Sequence, residues 1–194
     1  ITASTNGRWT TTFHVPAGAG GTQSISAYGN TTPASGLALA TFGIVARITV
    51  NPAGGVVGDT VNVTGQSFGA NETGISVLYD GSPVASNITA NATGDWTSAF
   101  TIPPSTTGNH RIGASGAFTA AASVPDQGFS VTPKLSITPT TGAVGTQITI
   151  TGTGFAATRP VTITYDNQPI TPTSGTTQST AQGNITAAFN APKS

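Results

Sequence analysis

Gly94-Asp95-Trp96-Thr97-Ser98-Ala99-Phe100-Thr101-Ile102-Pro103 alternates along its whole length. Trp96, Ser98, Phe100 and Ile102 fall on one side, with Thr97, Ala99 and Thr101 on the other. That is the period of two expected of a strand with one buried face. Its opening recurs 87 residues earlier as Gly7-Arg8-Trp9-Thr10. The same offset carries Phe13 onto Phe100, Pro16 onto Pro103, Ile25 onto Ile112 and Phe42 onto Phe129. It continues with Arg47 onto Lys134, Pro52 onto Pro139, Gly58 onto Gly145 and Phe68 onto Phe155. One residue is lost before Tyr79 and Tyr165, and a few are gained before Phe189. A repeat of about 87 residues suits a seven-stranded sandwich.

Other strands read the same way. Val61 and Val63 flank an outward Asn62, and Ile75, Val77 and Tyr79 alternate with Ser76 and Leu78. Asp80-Gly81 follows, and both residue types accept the positive φ of a tight hairpin turn. Two more strands fit Arg111 to Ala114 and Gly128 to Val131. No stretch has helical spacing with caps at both ends. The fold expected is all-β, a tandem array of immunoglobulin-like β-sandwich repeats.

The phase of the array divides the chain into residues 1–46, the C-terminal half of a repeat; 47–133, a complete repeat; and 134–194, the N-terminal part of a third. A half-sandwich alone exposes its core face and strand edges. The chain is therefore expected either to be a window on a longer array or to be completed by neighbouring copies. Phe129 to Pro139 and Phe42 to Pro52 run from one repeat into the next without a Gly/Ser spacer, which predicts a stiff rod.

Composition narrows the function. Six acids balance six bases in 194 residues, so the chain has no net field for gripping nucleic acid or an anionic membrane surface. No apolar run approaches the roughly 20 residues of a membrane span. The sequence opens on Ile1 without a Met, so removal of a preceding segment is expected. Cysteine is absent, so any stability outside the cell would have to come from packing and hydrogen bonds.

The run Asn51-Pro52-Ala53-Gly54-Gly55-Val56-Val57-Gly58-Asp59-Thr60-Val61-Asn62-Val63-Thr64-Gly65-Gln66-Ser67-Phe68 recurs from Thr138 to Phe155. It resembles the opening of the IPT/TIG-type immunoglobulin-like repeats of bacterial and archaeal surface proteins. The resemblance implies a non-catalytic, extracellular module: a stalk, an adhesin shaft, a surface-layer part or a spacer beside a catalytic domain.

Catalytic chemistry finds little support. Asp59, Asp80, Asp95 and Asp166 sit at strand starts or turns, where an Asp side chain bonds its own backbone. Glu72 and Asp126 complete the carboxylates, and no facing pair is apparent. Two histidines, His14 and His110, and no cysteine leave no triad or zinc set. An Asp-rich calcium loop is absent. Lys134, at a repeat boundary, and Lys193, near the end, are poorly placed for a buried isopeptide bond. No cofactor is expected.

Six Asn-x-Ser/Thr sequons, at Asn30, Asn62, Asn71, Asn87, Asn91 and Asn184, make N-linked glycans the best-supported modification. Trp9, Phe13, Phe68, Tyr79, Trp96, Phe100, Phe155, Tyr165 and Phe189 are expected in the repeat core, whereas Tyr28 falls out of phase and should be exposed. The leading reading is a cell-surface stalk or filament subunit whose partners are copies of itself, joined head-to-tail by strand exchange, or adjoining repeats of a longer chain. The alternatives are an adhesin or carbohydrate-binding module, with loops such as Asn71 to Thr73 or Thr173 to Thr177, and a spacer of a larger surface enzyme.

Overall fold

The structure, a computed structural model, describes residues 1–35 and 37–193. The first segment holds one antiparallel hairpin, β1 (Gly21–Ile25) and β2 (Ala40–Ile44). The middle segment holds β3 (Arg47–Asn51), β4 (Gly54–Gly55), β5 (Thr60–Gln66), β6 (Ile75–Tyr79), β7 (Ser82–Ile88), β8 (Trp96–Thr101), β9 (Gly108–Ser115) and β10 (Gln127–Val131). They form two sheets, ordered β3-β5-β8 and β4-β10-β9-β6-β7. β4 runs parallel to β10; the other paired strands of this segment are antiparallel. The chain thus leaves the first sheet after β3 and edges the second at β4, as an immunoglobulin-like sandwich does.

Alternation places the core between these sheets. Val61, Val63, Ile75, Val77, Phe68 and Ile112 are fully buried there, and Phe129 and Val131 nearly so. The β6–β7 turn is Asp80-Gly81, with φ of 48° and 81°, which fulfils the hairpin expectation. Trp96 meets Phe68 edge-on at 5.2 Å, and Tyr79 meets Phe100 at 6.3 Å. Gly65, paired across from Trp96 on β5, leaves room for the indole: a Cβ there would collide with the ring.

The last segment holds β11 (Lys134–Thr138), β12 (Gln147–Thr153), β13 (Thr164–Tyr165), β14 (Gln168–Pro169), β15 (Ser174–Gly175) and β16 (Ile185–Asn190). Its main sheet has the order β11-β12-β16-β15, and β13–β14 is a separate hairpin. Only two residues separate β2 from β3, and two separate β10 from β11. One hydrogen bond recurs at those joins with the offset of 87: Gly20 N–H donates to the Phe68 carbonyl at 3.0 Å, and Thr107 N–H to the Phe155 carbonyl at 3.3 Å.

Two expected core residues are corrected. Trp9 and Phe13 are 50% and 62% exposed, and residues 8–16 lie in no strand. Trp96 is buried because β5 and Phe68 face it; residues 1–46 contain no counterpart of either. Phe155 and Tyr165 are half-buried rather than buried, because only β13–β14 stands opposite the sheet of the last segment. Phe68, Tyr79, Trp96, Phe100 and Phe189 are core.

Candidate functional site

Two open apolar faces are the main candidates for a site. In the last segment a groove of about 360 Å³ is lined by Leu135, Ile137, Ile148, Phe155, Tyr165 and Phe189, among others. Leu135, Ile137 and Val144 stand 56%, 43% and 61% exposed. Their equivalents in the middle segment, Ile48, Val50 and Val57, are buried or half-buried in its core. In the first segment a second groove, of about 420 Å³, is lined by Phe13, Val15, Ile25, Phe42 and Ile44. Phe42 there is 43% exposed, whereas its equivalent Phe129 is 1% exposed. Neither groove is lined by an Asp, Glu, Lys or Arg side chain.

The one buried carboxylate among the described residues serves its neighbouring loops. Glu72 is fully buried. Its Oε1 accepts from Phe118 N–H at 2.6 Å and Thr119 N–H at 2.7 Å. Its Oε2 accepts from Thr119 Oγ1 at 2.6 Å and Gly69 N–H at 2.8 Å. Burial pushes this carboxyl up, but the donated hydrogen bonds outweigh it and hold the group below its usual range. Glu72 thereby pins the loop after β9 to the loop before β6. Sequence reasoning gave it no role, and no spacing signals one, because Phe118 and Thr119 lie 46 and 47 residues away.

Asp80 ties the β6–β7 turn to β9. Its Oδ1 accepts from Arg111 N–H at 2.9 Å, and its Oδ2 lies 2.6 Å from His110 Nδ1. Burial raises its carboxyl, but the His110 and Arg111 contacts lower it by more, so the net shift is downward. His110 Nε2 faces the Thr106 carbonyl at 2.8 Å, and its ring stacks on Tyr79 at 5.1 Å. Burial raises the Tyr79 hydroxyl, although Ser105 bonds it at 3.1 Å. Every polar atom of this group has a protein partner, which gives a brace and no free nucleophile. Among the described residues no three His, Asp or Glu side chains cluster as metal ligands, and no helix is long and apolar enough to cross a membrane.

Asn30, Asn62, Asn71, Asn87 and Asn91 are exposed; Asn184 is half-buried, with its Oδ1 enclosed and unpaired. Tyr28 is 77% exposed, as its phase implies. The two stretches offered as recognition loops are tied into the fold. Asn71 to Thr73 contains the buried Glu72, and Thr173 to Thr177 contains β15, with Thr173 and Thr176 N–H bonded to the Ala188 and Thr186 carbonyls.

A sandwich of three and five strands, joined strand to strand with a partial repeat on either side, defines an immunoglobulin-like tandem-repeat protein. The model of the IPT/TIG domain matches residues 48–130 and 135–188. The chain belongs to the IPT/TIG domain family. No curated protein matches. The crystal structure of the N-terminal eight Ig domains of Down Syndrome Cell Adhesion Molecule isoform 1.30.30 is similar at 15% identity. The match covers 92% of this chain and 28% of that one, with a TM-score of 0.25.

Proposed function

We propose that the chain is a non-catalytic structural segment of the cell surface, a stalk or filament subunit built by stacking IPT/TIG sandwiches end to end. IPT/TIG domains are typical of extracellular adhesion or spacer modules. The observation that carries the reading is the repeated join. Two-residue connections and the matching bonds Gly20 to Phe68 and Thr107 to Phe155 use one geometry twice. A join that repeats is what lets sandwiches stack with a fixed step. The carboxylates of Glu72 and Asp80 brace loops against the sheets. Glycans on Asn30, Asn62, Asn71, Asn87 and Asn91 would shield a surface with few charges.

Protease shaving of intact cells, followed by peptide mass spectrometry, tests the location, and electron microscopy of the native material tests the shape. Peptides of this chain released from unbroken cells, together with thin regular rods or fibres, are expected. Release only after lysis, or compact particles without axial repeat, overturns the reading. For the glycans, a protein mass that stays at the value set by the sequence before and after deglycosylation removes them from the account.

A further inference from the structure

We infer that the two open faces are complementary halves of one sandwich, and that the β1–β2 hairpin of one copy completes the last segment of another. The inference rests on the array reading above and names the partner: a second copy of this chain. The middle segment displays the finished assembly. There β9 and β10 cover β6 and the β3–β5 face, with Tyr79 opposite Ile112, Leu78 opposite Gly113, and β4 parallel to β10. The first segment supplies the same hairpin in the same register. Gly21 pairs Ile44 and Ile25 pairs Ala40, as Gly108 pairs Val131 and Ile112 pairs Gln127, each shifted by 87. The last segment supplies the receiving half. β13 pairs only with β14 and leaves its other edge free, while Leu135 and Ile137 on β11 wait uncovered.

The equivalences fix the contact. Ile25 should lie opposite Tyr165, and Ser26 opposite Thr164. Gly43 and Ile44 should run parallel to Thr141 and Gly142, as Ser130 and Val131 do to Gly54 and Gly55. Phe42 enters the groove among Ile137, Ile148 and Phe189, where Phe129 sits in the finished core. Main-chain pairing gives such strand addition its affinity, and the side-chain pockets give its register. Neither groove is lined by a charged side chain, so filling it with apolar side chains places no ion in an apolar setting. The strand place that both segments could claim is already filled by β16. Its first-segment equivalent, around Trp9 to Pro16, is outside any sheet and does not compete. The contact joins different surfaces of the two copies. Such a heterologous contact extends as an open filament when it does not close on itself.

The chain has no cysteine, so an introduced pair reports without background. The 194-residue chain carrying Ser26→Cys and Thr164→Cys should give, on mild oxidation, a ladder of covalent multimers on a non-reducing gel. A control with Ser26→Cys and Ser136→Cys places the second thiol on exposed β11, in the opposite sheet, and should stay monomeric. A ladder from both pairs means unspecific association and overturns the register. Monomers from both, with a sedimentation mass that does not change with concentration, overturn the completion in trans. That second result leaves the surface and rod measurements of the preceding proposal standing. Phe42→Asp should weaken self-association at least about a hundredfold by placing a carboxylate in the apolar groove. Because Phe42 lies outside the middle core, the melting of that core should not move. Unaltered association in this variant also overturns the inference.

Discussion

Trp9 and Trp96 are the same residue of the repeat in two surroundings. Locally their segments are alike. Ser4 Oγ accepts from Arg8 N–H at 3.1 Å, and Asn91 Oδ1 from Asp95 N–H at 2.9 Å. Gly7 and Gly94 N–H bond the carbonyls of Ser4 and Asn91, with φ of 76° and 79°. The last segment builds the turn a third time, with Thr180 Oγ1 accepting from Asn184 N–H at 3.1 Å and Gly183 at φ 71°. Beyond the turn the likeness ends: Trp9 is 50% exposed and Trp96 is 4% exposed. The turn is set by four or five neighbouring residues and forms wherever they occur. Burial is set by β5 and Phe68, thirty residues away in sequence, and fails without them.

The sharpest way to break this comparison is to truncate both indoles. Trp96→Ala should cost about 3–5 kcal/mol in urea unfolding followed by circular dichroism, the range for a large aromatic removed from a packed core. Trp9→Ala should cost less than about 0.5 kcal/mol. Equal losses would show that Trp9 is packed after all. Trp96→Ile sharpens the point, because Ile185 occupies the equivalent place in the last segment, against Gly152. Trp96 Nε1 is buried without a hydrogen-bond partner, and isoleucine removes that orphan donor. The loss should therefore be clearly smaller than for alanine.

Next in size are the two glycines. A Cβ on Gly94 would collide with the Phe68 carbonyl oxygen, and its φ of 79° already disfavours other residues. Gly7 has a φ of 76° and nothing within 4 Å. Gly94→Ala should destabilise by roughly 2–4 kcal/mol, strain and collision together. Gly7→Ala should cost about 1 kcal/mol locally and leave the main melting transition in place. Thermal scans of the two variants read the difference directly.

Much of the fold was legible because its signals are local. The period of two at Thr60 to Thr64, Ile75 to Tyr79 and Trp96 to Ile102, and the Asp80-Gly81 turn, need only their own residues. Equivalence by repeat misled at Trp9 and Phe13, because sequence identity between repeats does not carry the partner sheet with it. Glu72 was illegible for the same reason inverted. Nothing beside it announces a buried carboxylate, and three of its four donated bonds come from residues 118 and 119. The position 87 residues on is Arg159, so the brace belongs to the middle sandwich and no repeat pattern could point to it.

Glu72 gives the third prediction, smaller than the core losses but distinct in pH. Its carboxyl lies below the ordinary 4.5 in the folded chain. A depressed folded value means that its stabilisation is complete above the unfolded value. It is lost as pH falls through the folded one. Asp80, held below its ordinary 3.8, adds a loss of the same sign. Unfolding midpoints should therefore fall as pH drops below about 4.5. Glu72→Gln should cost about 1–3 kcal/mol at neutral pH, since an amide cannot accept all four bonds. It should also reduce the acid slope. An acid slope unchanged in that variant would assign the effect elsewhere.

The smallest expected effect tests whether the turn is as local as its threefold recurrence implies. Asn91 Oδ1 accepts from Thr93 N–H, Thr93 Oγ1 and Asp95 N–H, whereas Ser4 Oγ serves Arg8 N–H at the equivalent place. Asn91→Ala should cost about 1 kcal/mol, because these donors are near enough to water to be partly resolvated. Asn91→Ser should restore much of that, since serine fills this role in the first segment. If the turn were imposed by the core instead, serine would rescue nothing, and the cost would follow the burial of Trp96 rather than the acceptor at position 91. Amide hydrogen exchange at Asp95, compared with Arg8, separates the two. A turn held by its own acceptor protects both amides in proportion to that bond, whereas a turn held by the core protects only Asp95. The first outcome makes the repeat a set of self-forming turns that a second sheet then buries. The second makes burial the cause of the turn, and the resemblance at Ser4 to Arg8 would lose its explanation.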